Sequence, residues 1–165
     1  MSMRQTITSI LRRHGLLEAF STSKEFHLRI ENSSYLPLVV ERQGDEISVA
    51  HYGELNGDAI RDPEITFRWP DWTPTSITQD PVGRYADVFL VVDGQQMVRP
   101  KLLKELKSFA AMWARNLKAQ GFADDDVTVT SLTHAALLTR NATPAPDAHL
   151  EAQYEDRVSG ELGAD

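Results

Sequence analysis

The chain predicts an α+β fold: an antiparallel β-meander of five or six strands flanked by an N-terminal helix and a long C-terminal helix. Three observations carry this expectation. Apolar and polar residues alternate with a period of two through most of residues 25–98, with turn dipeptides at Gly44-Asp45, Asn56-Gly57 and Asp93-Gly94. Between Pro100 and Gln120 the period changes, and Leu102, Leu106, Phe109, Trp113 and Leu117 recur at spacings of three and four. Finally, 165 residues with 41% hydrophobic content suffice for one domain with a sizeable core.

Each element follows from its local pattern. Residues 6–20 place Ile7, Ile10, Leu11, His14 and Leu17 on one helical stripe, with Thr6 as the expected cap and Gly15 weakening the second half. "EFHLRIE" alternates Phe26, Leu28 and Ile30 against His27, Arg29 and Glu31, as a half-buried strand does. Leu36, Leu38 and Val40, then Ile47 and Val49, predict a hairpin turning at Gly44-Asp45, and Ile65, Phe67 and Trp69 a strand after Asn56-Gly57. Residues 72–79 and 84–92 add two more strands, the first placed at an edge by Pro74 and the second turning at Asp93-Gly94 into "QQMV". Pro100 suits the first turn of the long helix and Gly121 its C-cap. Residues 123–140 predict a short strand and a short last helix. The folded unit is expected over 1–140, with 141–165, rich in Pro, Ala, Gly and acids, as an acidic mobile tail.

Composition narrows the function classes. With no cysteine, disulfides and thiolate metal sites are excluded, and a reducing, cytoplasmic setting is the expectation. The apolar residues of the first twenty are spaced rather than continuous, unlike a signal peptide or a membrane span. Of the formal charge of -7, most lies beyond residue 140, where six acids face Arg157. The helix over 101–120 is locally basic, with Lys101, Lys104, Lys107, Arg115 and Lys118 against Glu105, so nucleic acid is one possible partner. The tail could fold back on that helix, or mimic nucleic-acid charge for a partner. There is no phosphate loop, HExxH or GxSxG, and the five histidines lack helical metal-ligand spacing. Ser131 and His134, three apart, read as capping and surface rather than as a dyad.

The densest cluster of chemistry is "HYGELNGDAIRDPEITFRW", residues 51–69. Pairing 46–54 with 64–69 about a centre near residue 59 puts His51 on the apolar side and Tyr52, Glu54 and Glu64 on the other. His51 then reads first as an imidazole bonded inside the core, and second as a base or ligand. The same register sets Glu54 across from Glu64, a repulsion that Arg61 or Arg68 could neutralise. A divalent cation could do so too, with Asp58 and Asp62 adding hard oxygen ligands. An Arg–acid network pinning a long loop is the simpler expectation, since Asn56, Gly57, Asp58, Asp62 and Pro63 are also ordinary turn residues.

"HYGELNGDAIRDPEITF" resembles the signature, roughly HYYEQNGDxxRDPEM, of a family of uncharacterised bacterial domains found on plasmids, integrative elements and phage-related polyvalent proteins. "YLPLVVE" and "RPKLLKELKSFAAMWARNLKAQGF" resemble that family's preceding strand and closing helix, so residues 5–122 are covered. The resemblance points to His51, Tyr52, Glu54, Asn56, Gly57, Asp58, Arg61, Asp62, Pro63 and Glu64, and to Trp113, Arg115 and Asn116 in the helix. The chain departs at Gly53, Leu55 and Ile65, where Tyr, Gln and Met are expected. The resemblance implies a genomic setting rather than a reaction.

The expected function is therefore a non-enzymatic accessory or interaction protein of a mobile genetic element, without cofactor or membrane. It would bind another protein through Tyr52, Glu54, Asn56, Asp58, Arg61, Asp62 and Glu64 at the hairpin and Arg115 and Asn116 on the helix. Two alternatives stand beside it. One is a divalent-metal-dependent hydrolase or nuclease using Glu54, Asp58, Asp62 and Glu64 as ligands and His51 as base. The other is a small nucleic-acid-binding regulator.

Overall fold

The structure, a computed structural model, describes residues 1–133. The acidic tail, the last helix expected before it and His134 lie outside the described residues.

Helix α1, Met3–Arg13, starts one turn earlier than the hydrophobic stripe indicates, because Ser2 and Gln5 form a reciprocal capping box. Thr6 is not the cap. It is buried inside α1 and donates its hydroxyl to the Ala114 carbonyl at 3.2 Å. The helix does not run to residue 20 either. Gly15 takes a left-handed φ of 69°, and a separate short helix α2, Leu17–Thr22, follows.

Six strands then run in order: β1 (Glu25–Glu31), β2 (Leu38–Gln43), β3 (Glu46–Leu55), β4 (Asp58–Arg68), β5 (Thr73–Gln79) and β6 (Arg84–Asp87). A single 3-10 turn, Asp80–Val82, separates β5 from β6. These six form the expected meander, and β9 (Thr128–Thr133) returns to pair with β1. The result is a seven-stranded antiparallel sheet in the order β6-β5-β4-β3-β2-β1-β9. Pro74 does not mark the sheet edge. Strand β6 pairs with Ser76–Gln79 of β5 and stops short of Pro74, so a strand inside the sheet tolerates it.

The strand expected over 84–92 is broken at Val88. Its side chain is fully buried, its N–H donates to the Thr75 carbonyl at 2.8 Å, and its carbonyl accepts from the Arg99 N–H at 2.8 Å. Beyond this clamp, β7 (Phe89–Val92) and β8 (Gln95–Val98) form a separate two-stranded ribbon that leads into helix α3, Pro100–Ala119. As expected, Gly121 follows α3 in the left-handed region, at φ 76°.

One face of the sheet carries the core. Phe26, Leu28, Ile30, Leu38, Val40, Ile47, Val49, Ile65, Phe67 and Ile77 meet Ile7, Ile10 and Leu11 of α1 and Leu106, Ala110, Trp113, Ala114 and Leu117 of α3. Arg42 is the charged member of this layer. Its guanidinium donates to the carbonyls of Phe20, Ser21 and Gly44 at 2.8–3.0 Å and lies 4.0 Å over the Trp69 ring, so it fastens the end of α2 to the sheet. The opposite face carries Arg29, Glu41, Ser48, Glu64, Thr66, Ser76 and Thr78, all half-buried. No described helix is long and apolar enough to cross a membrane.

Leu106 is fully buried between α3 and the sheet, whereas Met112 on the same helix is exposed. Leu106→Ala is expected to cost about 2–5 kcal/mol in urea unfolding and Met112→Ala less than about 0.5 kcal/mol. Equal costs would refute the packing described.

Candidate functional site

The β3–β4 hairpin closes through a two-residue turn, with Asn56 at φ 55° and Gly57 at φ 88°. Both central residues in the left-handed region match the twist of the flanking strands. The long loop expected between Glu54 and Glu64 does not exist, and β4 begins at Asp58. Pairing runs Leu55 with Asp58, Glu54 with Ala59 and Tyr52 with Arg61, then shifts, so that Ala50 faces Glu64 and Val49 faces Ile65. His51 therefore stands against two residues, Asp62 and Pro63, which are joined by a cis peptide bond. This is a β-bulge on β4.

The bulge corrects the expected register. Glu54 lies across from Ala59, not Glu64, so the anticipated carboxylate pair is not formed. The extra residue also moves Arg61 onto the same face as Glu64, although the two are three apart. There Arg61 becomes the centre of a network. Its Nε and backbone N–H donate to Asp80 Oδ2 at 3.0 and 2.8 Å, Nη2 to Asp80 Oδ1 at 3.2 Å, and Nη1 to Glu64 Oε2 at 3.2 Å. Ser48 Oγ donates to Glu64 Oε1 at 2.6 Å and the Tyr85 hydroxyl to Asp80 Oδ1 at 2.9 Å. The Arg61 hydrogen bonds hold the Asp80 carboxyl down at about 2, and Asp80 in turn raises the Tyr85 phenol. Burial, with Glu64 nearby, raises Tyr52.

The remaining residues sort by location. Asp62 accepts from Gln79 Nε2 at 3.4 Å; Glu54, Asn56 and Asp58 are exposed at the hairpin tip. Arg29, Leu36, Pro37, Tyr52, Glu54 and Ala59 help line an open groove of about 470 Å³. Arg115 and Asn116 are exposed on α3, in the other layer, and do not join the hairpin. The four carboxylates of the metal reading do not converge. Glu64 spends one oxygen on Ser48 and the other on Arg61, and no group of three or more potential ligands comes together among the described residues.

His51 is a core residue. One ring nitrogen, Nδ1, lies 3.1 Å from the Pro37 carbonyl and donates to it, and the ring packs 5.4 Å from Trp113 and 5.6 Å from Phe122. Burial lowers its pKa, with the Pro37 contact opposing. Asp80, Ser48 and Tyr85 were missed in the sequence. Arg61 and Asp80 meet only once the β4–β5 register is known, and no local spacing encodes it.

Two outcomes follow. In Arg61→Met the Asp80 carboxyl should rise from about 2 towards the ordinary value of 3.8 in a carbon-detected NMR titration; an unmoved value would refute the network. For His51, the folded state holds the proton less tightly than the unfolded state. Stability is therefore full above the ordinary imidazole value of about 6.5 and falls as pH drops below it, by up to about 1.4 kcal/mol per unit. Urea midpoints between pH 7.5 and 5 should show this slope, reduced in His51→Gln. An unchanged slope would place His51 outside the core.

No curated protein and no solved structure matches the chain. A family model described as "Domain of unknown function (DUF6908)" matches residues 5–123, which span both helices of the core layer, the whole meander and the Arg61 network, and the chain belongs to that family.

Proposed function

We propose that the chain is a non-enzymatic accessory protein of a mobile genetic element that works in the cytoplasm by holding a protein partner. The signature at residues 51–65 supports the setting. The observation that carries the binding role is the β7–β8 ribbon. Val91, Val92, Met97 and Val98 are 76, 50, 52 and 48% exposed on a two-stranded element that pairs with no other strand among the described residues. A lone ribbon of four-residue strands is marginal in water, and exposed apolar side chains on both of its faces, Val91 and Val98 on one and Val92 and Met97 on the other, mark an interaction surface. Neither outer edge of the ribbon pairs with another strand among the described residues, so both are open to strand addition. The fitting partner is an extended, apolar segment of another protein.

The hairpin rim plays a lesser part in this reading. Arg61, Asp62 and Glu64 are engaged with one another's neighbours inside the fold, which leaves Tyr52, Glu54, Asn56 and Asp58 as a polar margin.

A photo-crosslinking residue at Val92, expressed in cells that carry the gene, should give a discrete adduct with one protein. The same residue at Glu46, on the exposed sheet face, should not. Met97→Lys, on the same face as Val92, should abolish the Val92 adduct while shifting the unfolding free energy by less than about 0.5 kcal/mol. A strongly destabilised Met97→Lys would mean that the ribbon serves the fold, and adducts of equal yield at both positions would refute the interface.

A further inference from the structure

Among the described residues, paired and unpaired cations are unevenly shared between the two layers. On the sheet side each arginine is held. Arg29 pairs with Glu31, Arg61 with Asp80 and Glu64, Arg68 with Asp71 and Arg84 with Glu105, while Arg42 is spent on carbonyls. On the helical layer Arg13 is paired, with Asp125, but most cations are not. Arg4, Arg12, Lys101, Lys104, Lys107, Arg115 and Lys118 are exposed and have no ion-pair partner among the described residues. Helix α1 contains no acid, and the one acid of α3, Glu105, is turned to Arg84. A chain with formal charge -7 has thus gathered unpaired positive charge on two adjacent helices.

The arrangement is linear. Lys104, Lys107, Arg115 and Lys118 follow one another at three, eight and three residues, which keeps them on one side of α3 over about 21 Å at 1.5 Å per residue. Alongside lies α1, whose Thr6 is bonded to Ala114 and whose Arg13 reaches Asp125, so the helices run parallel and Arg12 extends the same layer. Like charges along one helix repel, at a few tenths of a kcal/mol per neighbouring pair, unless a polyanion covers them.

We propose that the α1–α3 layer is a docking surface for the phosphate backbone of double-stranded DNA. The partner is named by charge and by what the surface lacks. Single strands are held by bases stacking on exposed aromatics, and here Trp113 is buried and Phe109 half-buried. Duplex RNA is recognised by its A-form shape and by 2′-hydroxyl as well as phosphate contacts across the minor groove, whereas this stripe presents only charged heads suited to phosphates. Contacts of this kind position a duplex without reading its sequence. This surface shares no residue with the ribbon, so the protein-binding role and the DNA-binding role stand or fall separately.

The test uses the full chain and a labelled 20-base-pair DNA duplex of arbitrary sequence, followed by fluorescence anisotropy from 50 to 200 mM salt. The expected result is saturable binding whose log–log salt slope is about -4, for roughly four to five phosphates neutralised. In the quadruple variant Lys104→Ala, Lys107→Ala, Arg115→Ala, Lys118→Ala, binding should weaken at least tenfold at 50 mM salt and the slope should fall towards zero. Its urea midpoint should stay at the parental value, because all four side chains are exposed. A matched variant on the sheet side, Lys24→Ala with Arg29→Ala, should bind as the parent does. Absence of binding at 50 mM salt by the folded chain overturns the proposal, as does binding that survives the quadruple change. So does tighter binding to a single strand or an RNA duplex of the same length.

Discussion

The extra residue in β4 opposite His51 is the constraint on which the rest of the hairpin depends. Side chains in a strand alternate between faces, so inserting one residue reverses the sense of everything beyond it. Without the bulge, Arg61 and Glu64 would point to opposite sides of the sheet. With it, they share a face, and Asp80 can close the network from the start of the 3-10 turn. The same insertion lets His51 stay on the core side, against Trp113 and Phe122, while Tyr52 keeps to the outer face opposite Arg61. The buried imidazole and the Arg61 network thus lie on opposite faces of the sheet.

The network has the character of a fastening. Arg61 engages both oxygens of Asp80 and one of Glu64, and Ser48 takes the other. Charge-assisted bonds of this geometry hold their members in one arrangement, and few lone pairs remain for a ligand. Half-exposed as it is, its contribution to stability is small, and its effect is to tie β3, β4 and the β5–β6 connection into one register. Arg42 performs the corresponding task on the core side, where its bonds to Phe20 and Ser21 anchor α2. In both cases an arginine is used for its fork of donors rather than for its net charge.

Much of this was legible in the sequence because burial imposes periodicity. The alternation at Phe26, Leu28 and Ile30 and the three-to-four spacing from Leu106 to Leu117 place strands and α3 where they are found. The placement of His51 in the core also held. What escaped was whatever depends on register or on a single residue. Asn56-Gly57 signals the two-residue turn, yet a pairing centred near residue 59 satisfies the same apolar alternation, and the bulge cannot be inferred because Asp62-Pro63 reads equally well as loop. Likewise, the run from Arg84 to Val92 is continuous in hydrophobicity, and only the tertiary clamp on Val88 shows that it serves two sheets. Arg115 and Asn116 are expected with the hairpin only through a resemblance, whereas the fold puts them in the opposite layer.

The clamp at Val88 also bears on how the two proposed surfaces would relate. It fixes the base of the ribbon to β5 through Thr75 and to the start of α3 through Arg99, whose guanidinium donates in addition to the Asp87 carbonyl at 3.4 Å. Only two residues separate Val98 at the end of β8 from Lys101 in the first turn of α3. A partner seated on the ribbon would therefore stand beside the first cations of the helical stripe, held there by a rigid junction instead of a tether. Attachment of this kind sets the distance between two bound molecules by the fold itself, and raises their effective concentration without any contact between them. A protein with two such faces needs no active site of its own to alter what happens on DNA, because positioning a partner there is sufficient.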